Sequence, residues 1–67
     1  MMEGDRVRLT ETSEFGMVNG PRTISKGERG DVEEVSGDNV YVNWDGGGGV
    51  WCDAKYLEEI GRGTDNA

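Results

Sequence analysis

The stretch "NVYVNWDGGGGVWCD", residues 39–53, decides the fold of this chain. Its first six residues alternate in character, and such alternation is typical of a β-strand with one buried face. Val40, Val42 and Trp44 fall on the predicted buried face, and Tyr41 falls on the opposite face. Apolar residues do not recur here at the three- and four-residue spacing of a helix. We therefore predict a β-strand at this position and a β-protein overall.

Four glycines, residues 46–49, follow this strand and its aspartate. A phosphate-binding loop needs a following helix whose N–H groups point at the anion, and a short β-like segment follows here instead. An interdomain linker needs a domain on both sides, and too few residues remain for a second domain. Because glycine readily adopts positive φ, we predict that the run forms the tip of a β-hairpin.

Beyond the tip, "VWCD", residues 50–53, is predicted to return antiparallel to the first strand. If Val50 and Cys52 point inward, Trp51 points outward beside Tyr41. An outward tryptophan next to an outward tyrosine would form an exposed aromatic patch, which small proteins rarely leave without a use. The other interpretation is that Trp51 caps the second end of the core. The sequence alone leaves both interpretations open.

Two earlier segments supply further strands. "DRVRLT", residues 5–10, predicts the first strand, and "GERGDVEEV", residues 27–35, predicts the second. Val32 and Val35 are three residues apart and would fall on opposite faces of an ideal strand. A bulge between them would reconcile their positions, because it adds one residue to one strand only.

The remaining segments complete the order of elements. "SGDN" at 36–39 has the composition of a hairpin turn, "AKYL" at 54–57 favours one turn of 3-10 helix, and "LEEI" at 57–60 predicts the last strand. Residues 11–26 make a long connection for a hairpin. Their apolar content predicts that this loop folds back over an open edge of the barrel.

The chain of 67 residues can form one small domain, which we expect at residues 1–60, with a disordered tail at 61–67. A single cysteine, Cys52, and no histidine exclude an intrachain disulfide and the usual structural zinc site. We expect Cys52 to pack in the interior. No stretch resembles a signal peptide or a membrane helix, so the expected location is the cytoplasm, or the host cytoplasm for a phage-encoded protein.

Charge is distributed unevenly along the chain. Fourteen acidic and seven basic residues give a net charge of −7. Acids and bases balance in residues 1–26, whereas the only bases in residues 27–59 are Arg29 and Lys55. Nucleic acid would be repelled by that acidic stretch, because its binding relies on Lys and Arg neutralising phosphates. A basic protein surface would be attracted to it, and the same acidity would keep a small protein soluble.

The order of elements resembles that of SH3-like barrels. "GDRVRLT" resembles the G-x-x-V-x-V opening of many such domains, and "KGERGDVEEV" resembles the G-x-x-G-x-V start of their second strand. "NVYVNWDGG" is similar to the V-x-V-x-W-D-N/D-G hairpin of several SH3-like families, including small bacterial and phage proteins. The resemblance covers residues 4–60. It implies an all-β fold, a five-stranded SH3-like barrel with a long first loop and a 3-10 turn before the last strand.

SH3-like barrels bind peptides, nucleic acids or partner proteins, so the resemblance alone does not fix a function. The chain lacks the basic loop expected of nucleic-acid readers of the KOW type, and it lacks the "ALYDY" cluster with which eukaryotic SH3 domains receive proline-rich peptides. Glu33 and Glu34 are adjacent on a strand and point to opposite faces, which does not suit an acid and a base sharing one substrate. We predict no enzyme activity, no cofactor and no metal site.

The preferred hypothesis is a non-catalytic protein-binding module, a monomer or weak dimer, that docks on a basic surface of a partner protein. Its sharper form is a DNA-mimicking inhibitor or regulator. The predicted partner-binding residues are an aromatic centre and an acidic rim, namely Tyr41, Trp51, Phe15, Tyr56, Glu33, Glu34, Asp38 and Asp53. The alternative is KOW-like nucleic-acid binding through the basic residues of the first half, namely Arg6, Arg8, Arg22, Lys26 and Arg29.

Overall fold

The computed structural model describes residues 1–17 and 20–62. Seven strands and one short 3-10 segment, η1, follow in the order β1 (Asp5–Leu9), β2 (Ser13–Met17), β3 (Gly20–Ile24), β4 (Arg29–Ser36), β5 (Asn39–Trp44), β6 (Gly49–Asp53), η1 (Ala54–Tyr56) and β7 (Leu57–Arg62). The all-β prediction is confirmed.

The described strands form two antiparallel sheets. Five strands in the order β6-β5-β4-β1-β7 make the main sheet, and β2 and β3 pair with each other. Five principal strands and a 3-10 turn before the last strand are present as predicted. The barrel is compact but not closed, because β6 and β7 stay separate edges of the main sheet and η1 connects them.

The long loop predicted at residues 11–26 contains the β2–β3 hairpin. Ile24 is fully buried and Phe15 packs against the core, so the hairpin covers part of the interior. β2 comes close to β6 without pairing with it. The strands escaped prediction because Gly16 and Pro21 pair across the hairpin, and both residue types usually indicate turns.

Alternate residues of the main sheet form the interior. Val40, Val42 and Trp44 of β5 are buried, together with Val50 and Cys52 of β6. The other buried apolar residues are Val7, Leu9, Ile24, Val32 and Leu57. The alternation predicted for residues 39–53 is therefore confirmed on both strands.

The predicted bulge is present in β4. The register of β4 against β5 shifts between Val32 and Glu34, which leaves Glu33 as an extra residue on β4. After the shift, Val35 pairs with Val40. This register places Val32 and Val35 at positions on the same face of β4. Val35 is nevertheless exposed, so the bulge corrects the register without burying this side chain.

Hydrogen bonds and an ion pair hold the glycine tip between β5 and β6. The N–H of Trp44 donates to the carbonyl of Gly48 at 3.0 Å, and the N–H of Gly47 donates to the carbonyl of Trp44 at 2.8 Å. Gly47 and Gly48 have φ of 107° and 91°, values that residues with side chains rarely adopt. The carboxylate of Asp45 accepts two hydrogen bonds from the Arg6 guanidinium, at 2.8 and 2.7 Å. The hairpin tip is confirmed.

The last strand, β7, ends two residues beyond residue 60, where we predicted the domain to end. β7 continues through Gly61 and Arg62, because Gly61 pairs with Arg6 and Arg62 pairs with Asp5. The rest of the predicted tail, residues 63–67, lies outside the described residues. In the part of the chain that the structure describes, no helix has the length and apolarity to cross a membrane.

Cys52 gives a prediction about alkaline stability. Burial raises the pKa of its thiol to about 11 from 9.0, and the nearby Trp44 acts in the opposite direction to a smaller extent. Between these values the folded protein keeps a proton that the unfolded chain has lost. Stability is therefore expected to be unaffected by this thiol below the lower value and to fall as pH rises through the window, by up to about 1.4 kcal/mol per pH unit.

Urea unfolding of the wild type and Cys52→Ala across that pH window measures the effect. The two proteins differ only at residue 52, so all other titrations cancel in the difference between their unfolding free energies. Because only the wild type loses stability through the Cys52 thiol, this difference should shrink as pH rises. A difference that stays constant with pH would contradict the buried, neutral thiol.

Candidate docking surface

Tyr41 and Trp51 stand side by side on the outer face of the main sheet. They are direct cross-strand partners on β5 and β6, and their ring centroids lie 5.4 Å apart with an interplanar angle of 59°. Trp51 is 45% exposed, although its neighbours Val50 and Cys52 are buried. Of the two interpretations of Trp51, the outward one is confirmed and the core-capping one is wrong.

Gly49 allows the ring of Tyr41 to lie against β6. A Cβ built on Gly49 would lie 2.5 Å from Cζ and 2.8 Å from Cε2 of Tyr41, and closer still to its hydroxyl oxygen. Real side chains do not approach so closely, so the ring occupies the space that a side chain would fill. The glycine run predicted only a hairpin tip, so this role of Gly49 was not predicted.

Gly49→Ala should therefore displace the Tyr41 ring. We expect a loss of about 1 kcal/mol in unfolding free energy, because the aromatic pair is disturbed while the strand itself remains paired. In a Tyr41→Ala background the same substitution should have almost no effect, and urea unfolding of the four proteins of this cycle measures the coupling. An equal loss in both backgrounds would show that Gly49 acts through the backbone instead.

The two other predicted aromatic residues have a different position. Phe15 and Tyr56 are half-buried and pack against the hydrophobic core. Among the described residues, the ring–ring contact joins Tyr41 and Trp51. Tyr56 instead contacts Lys55, whose Nζ lies 5.1 Å from the ring centroid. The structure therefore brings together two of the four aromatics, and these two form the aromatic centre.

The predicted acidic residues lie next to this centre in the sheet. Glu34 pairs with Tyr41, so Glu34, Tyr41 and Trp51 form a continuous cross-strand row over β4, β5 and β6. Glu33 is exposed in the adjoining bulge, and Asp38 is exposed in the turn between β4 and β5. Tyr41 and Asp53 are half-buried, whereas Trp51 is exposed. We call the surface region formed by Glu33, Glu34, Asp38, Tyr41, Trp51 and Asp53 the docking face.

Asp53 has a structural role as well. Its side chain accepts a hydrogen bond from the Lys55 N–H at 3.0 Å and caps η1. The N–H of Ala54 donates to the carbonyl of Asp38 at 2.8 Å, which ties the end of β6 to the turn before β5. These contacts fix the edge of the docking face where the chain leaves β6.

Ion pairs occupy all the other acids of residues 27–59. The pairs are Arg6 with Asp31 and Asp45, Arg8 with Glu58, Arg22 with Glu28, and the N-terminal amine with Glu59. Within residues 1–17 and 20–62, the four acids of the docking face take part in no such pair. Glu3, Glu11 and Glu14 in the first part of the chain are likewise outside these pairs. Within residues 27–59, the acids without an ion-pair partner are therefore those of the docking face.

The Arg6 network separates the docking face from the rest of the outer face. Arg6, Asp31 and Asn43 form the neighbouring cross-strand row. Hydrogen bonding from Arg6 lowers the pKa of the Asp45 carboxyl, and hydrogen bonds to Asp45 and Asp31 raise the pKa of the Arg6 guanidinium. Arg6 and Asp45 therefore stay ionised over the ordinary pH range and compensate each other.

The five bases of the alternative hypothesis do not form one free cluster. Arg6, Arg8 and Arg22 are engaged in ion pairs. Lys26 and Arg8 line a cavity of about 510 Å³ at the end of β1. Arg29 pairs with Arg8 across β4 and β1. Arg8, Lys26 and Arg29 therefore come together at this end of the molecule.

Comparisons with known proteins do not assign the chain to a family. No family model matches it, no curated protein matches it, and no solved structure matches it at a significant level. The resemblance to SH3-like barrels therefore stays a prediction. Among the described residues there is also no group of three acidic or cysteine side chains arranged to hold a metal ion.

Proposed function

We propose that this domain is a non-catalytic protein-binding module whose docking face meets a basic surface on a partner protein. The observation that supports it is the coincidence, on one part of the sheet, of an aromatic pair whose tryptophan is exposed with carboxylates that lack an ion-pair partner. Aromatic side chains that become buried carry much of the affinity of an interface, while charged rims speed encounter and select partners.

We also propose that the domain is an SH3-like barrel acting in the cytoplasm as a monomer or weak dimer. The order of strands, hairpin and 3-10 turn supports the fold assignment, and barrels of this kind serve widely as docking modules. The net charge of −7 opposes close association of two copies.

A sharper form of the proposal is that the docking face imitates the phosphates of DNA and occupies the nucleic-acid groove of a target. The acidity of so small a chain supports it, together with the unpaired acids around the Glu33 bulge. Competition between this protein and a DNA duplex for the same basic target would support the imitation. Simultaneous binding of both would limit the function to docking.

Nucleic-acid binding through the barrel is the second candidate. The cavity lined by Arg8 and Lys26, beside Arg29, is the observation that favours it. Engagement of Arg8 with Glu58 opposes it, because the guanidinium is already compensated. An electrophoretic shift assay with mixed RNA and DNA at low salt tests this candidate, and the absence of a shift removes it.

Affinity capture from native cell extract at low and high salt tests the preferred function. We expect the immobilised wild type to recover a partner more efficiently at low salt, because the rim is acidic. Trp51→Ala, and Glu33→Lys combined with Glu34→Lys, should each reduce recovery of that partner about tenfold or more.

Glu11→Lys combined with Glu14→Lys is the matched control. It makes the same change in net charge at two exposed positions outside the docking face. Recovery should survive this substitution. If the docking-face variants and the control recover the partner equally well, the docking face is not the binding site.

A further inference from the structure

The two edges of the main sheet differ in how they are protected against pairing with another strand. β7 carries Glu58 and Glu59 and has a register irregularity against β1, and charges and bulges of this kind discourage edge-to-edge pairing. β6, with the sequence GVWCD, pairs with β5 in an unbroken register. It contains no proline, no lysine and no bulge, and its single charge is Asp53 at its end. β6 is therefore an edge strand whose own sequence carries none of these devices, although β2 lies close to it without pairing.

The hydrogen-bond pattern shows which backbone groups of β6 face outward. The N–H of Trp44 bonds to the carbonyl of Gly48, and the N–H of Ala54 bonds to the carbonyl of Asp38, so these two bonds flank the β5–β6 ladder. Pairs in an antiparallel ladder alternate between hydrogen-bonded and non-bonded. Counting inward from both flanks gives the same answer, with Tyr41 and Trp51 as a non-bonded pair.

It follows that the outward-directed N–H and C=O groups of β6 belong to Gly49, Trp51 and Asp53. No described strand pairs with this edge, and the nearby β2 does not form a ladder with it. Trp51, the most exposed aromatic of the docking face, lies in the middle of this row of backbone groups, with which no described strand pairs. A strand placed at this edge would therefore form backbone hydrogen bonds and an aromatic contact at the same place.

We propose that an extended, basic segment of a partner protein adds to β6 as a further antiparallel or parallel strand. This inference rests on the proposed function, because the same docking face supplies the aromatic and acidic contacts. Main-chain hydrogen bonds would provide register, and alternate side chains would provide selectivity. On the outer face the segment would lie beside Trp51 and Asp53, which favours lysine or arginine at every second position.

The intervening residues of that segment would face the inner side of the sheet. Their neighbours on β6 are the buried Val50 and Cys52, which favours apolar β-branched side chains there. A second copy of this chain fits less well, because it would bring Asp53 and a net charge of −7 against an identical strand. The proposed occupant is thus a strand that alternates between basic and β-branched residues.

An acetylated and amidated peptide of four Lys-Val repeats serves as the probe. Two modified versions carry backbone N-methyl groups on all lysines or on all valines, which blocks one edge or the other edge of the extended peptide while keeping its charge and side chains. Calorimetric titration at low salt should show that one modified peptide binds like the parent. The other should bind about tenfold more weakly or worse, because it loses the backbone bonds to β6.

The protein supplies a second test at Asp53, where φ is −74° and already suits proline. Asp53→Ala and Asp53→Pro both remove the carboxylate and the η1 cap, but only proline removes the outward N–H. Asp53→Pro should therefore bind the parent peptide clearly more weakly than Asp53→Ala. Circular dichroism confirms that both variants are folded.

The possible outcomes separate this inference from the proposed function. Strand addition is overturned if both methylated peptides bind equally well and the two Asp53 variants bind the parent peptide equally well. That result leaves the docking face as a binding site for basic partners. No binding of any peptide at low salt overturns both. Dimerisation that Asp53→Pro abolishes and Asp53→Ala retains would overturn the basic segment and assign the edge to a second copy.

Discussion

Trp44→Ala is expected to abolish folding, whereas Trp51→Ala should leave the domain folded. Trp44 is 2% exposed and lies within the core cluster, and truncation of such a residue costs about 3–5 kcal/mol. A single core in a chain of this size rarely supplies more than about 3–5 kcal/mol of stability, so little or none would remain. Trp51 makes its ring contact with Tyr41 on the outer face, and its loss should cost about 1 kcal/mol.

Urea unfolding followed by far-UV circular dichroism measures both variants under the same conditions. The two tryptophans are each other's control, because each substitution removes the same side chain from opposite faces of adjacent strands. Comparable destabilisation by both variants would mean that Trp51 belongs to the core and is not available to a partner.

Gly30→Ala is the second substitution with a large expected effect. Gly30 is buried and pairs with Trp44 across β4 and β5. A Cβ at this position would lie 2.7 Å from the carbonyl oxygen of Asn43 and 2.7 Å from Cγ1 of Val42. The first contact is with backbone and cannot be relieved by rotating a side chain, so we expect a loss of about 3 kcal/mol.

Gly16→Ala provides the matched control for Gly30→Ala. Gly16 also lies within a strand, its φ is not in the left-handed region, and a Cβ there would meet nothing within 4 Å. The control should leave the midpoint of urea unfolding nearly unchanged or raise it slightly. A loss at Gly16 equal to that at Gly30 would show that strand propensity, and not close packing, determines the cost.

Local pattern was sufficient to predict the part of the fold that positions the docking face. The side chains of a strand alternate with a period of two, so the residues around Trp44 and Trp51 define their own faces. The bulge in β4 was predictable for the same reason, since the spacing of Val32 and Val35 breaks that period. No information about distant residues was needed for either result.

Features that depend on distant residues were not predictable in this way. Gly16 and Pro21 are residue types that predict turns, so the sequence predicts a loop where the β2–β3 hairpin lies, although the two residues pair with each other in the folded chain. The ion pair between Arg6 and Asp45 joins residues 39 positions apart, and no local pattern relates them. The packing of Phe15 against the core likewise depends on where the hairpin folds.

The close approach of Tyr41 to Gly49 is an intermediate case. The two residues lie on neighbouring strands whose pairing the sequence predicted, so their proximity followed from the register. The direction in which the Tyr41 ring leans did not follow from the register, because it depends on the side-chain torsions and on the contact with Trp51. A glycine beside an aromatic residue on the adjacent strand is the signal that would have indicated this contact.

Mapping of amide chemical shifts tests the central claim most directly. In a titration of the ¹⁵N-labelled protein with the Lys-Val peptide at low salt, the account predicts the largest shifts at the Trp51 indole and at the backbone amides of Glu34, Tyr41, Trp51 and Asp53. Arg8 and Lys26, which line the cavity at the end of β1, should change little. Shifts concentrated around Arg8 and Lys26, or spread evenly over the sheet, would contradict a docking face built on the Tyr41–Trp51 pair.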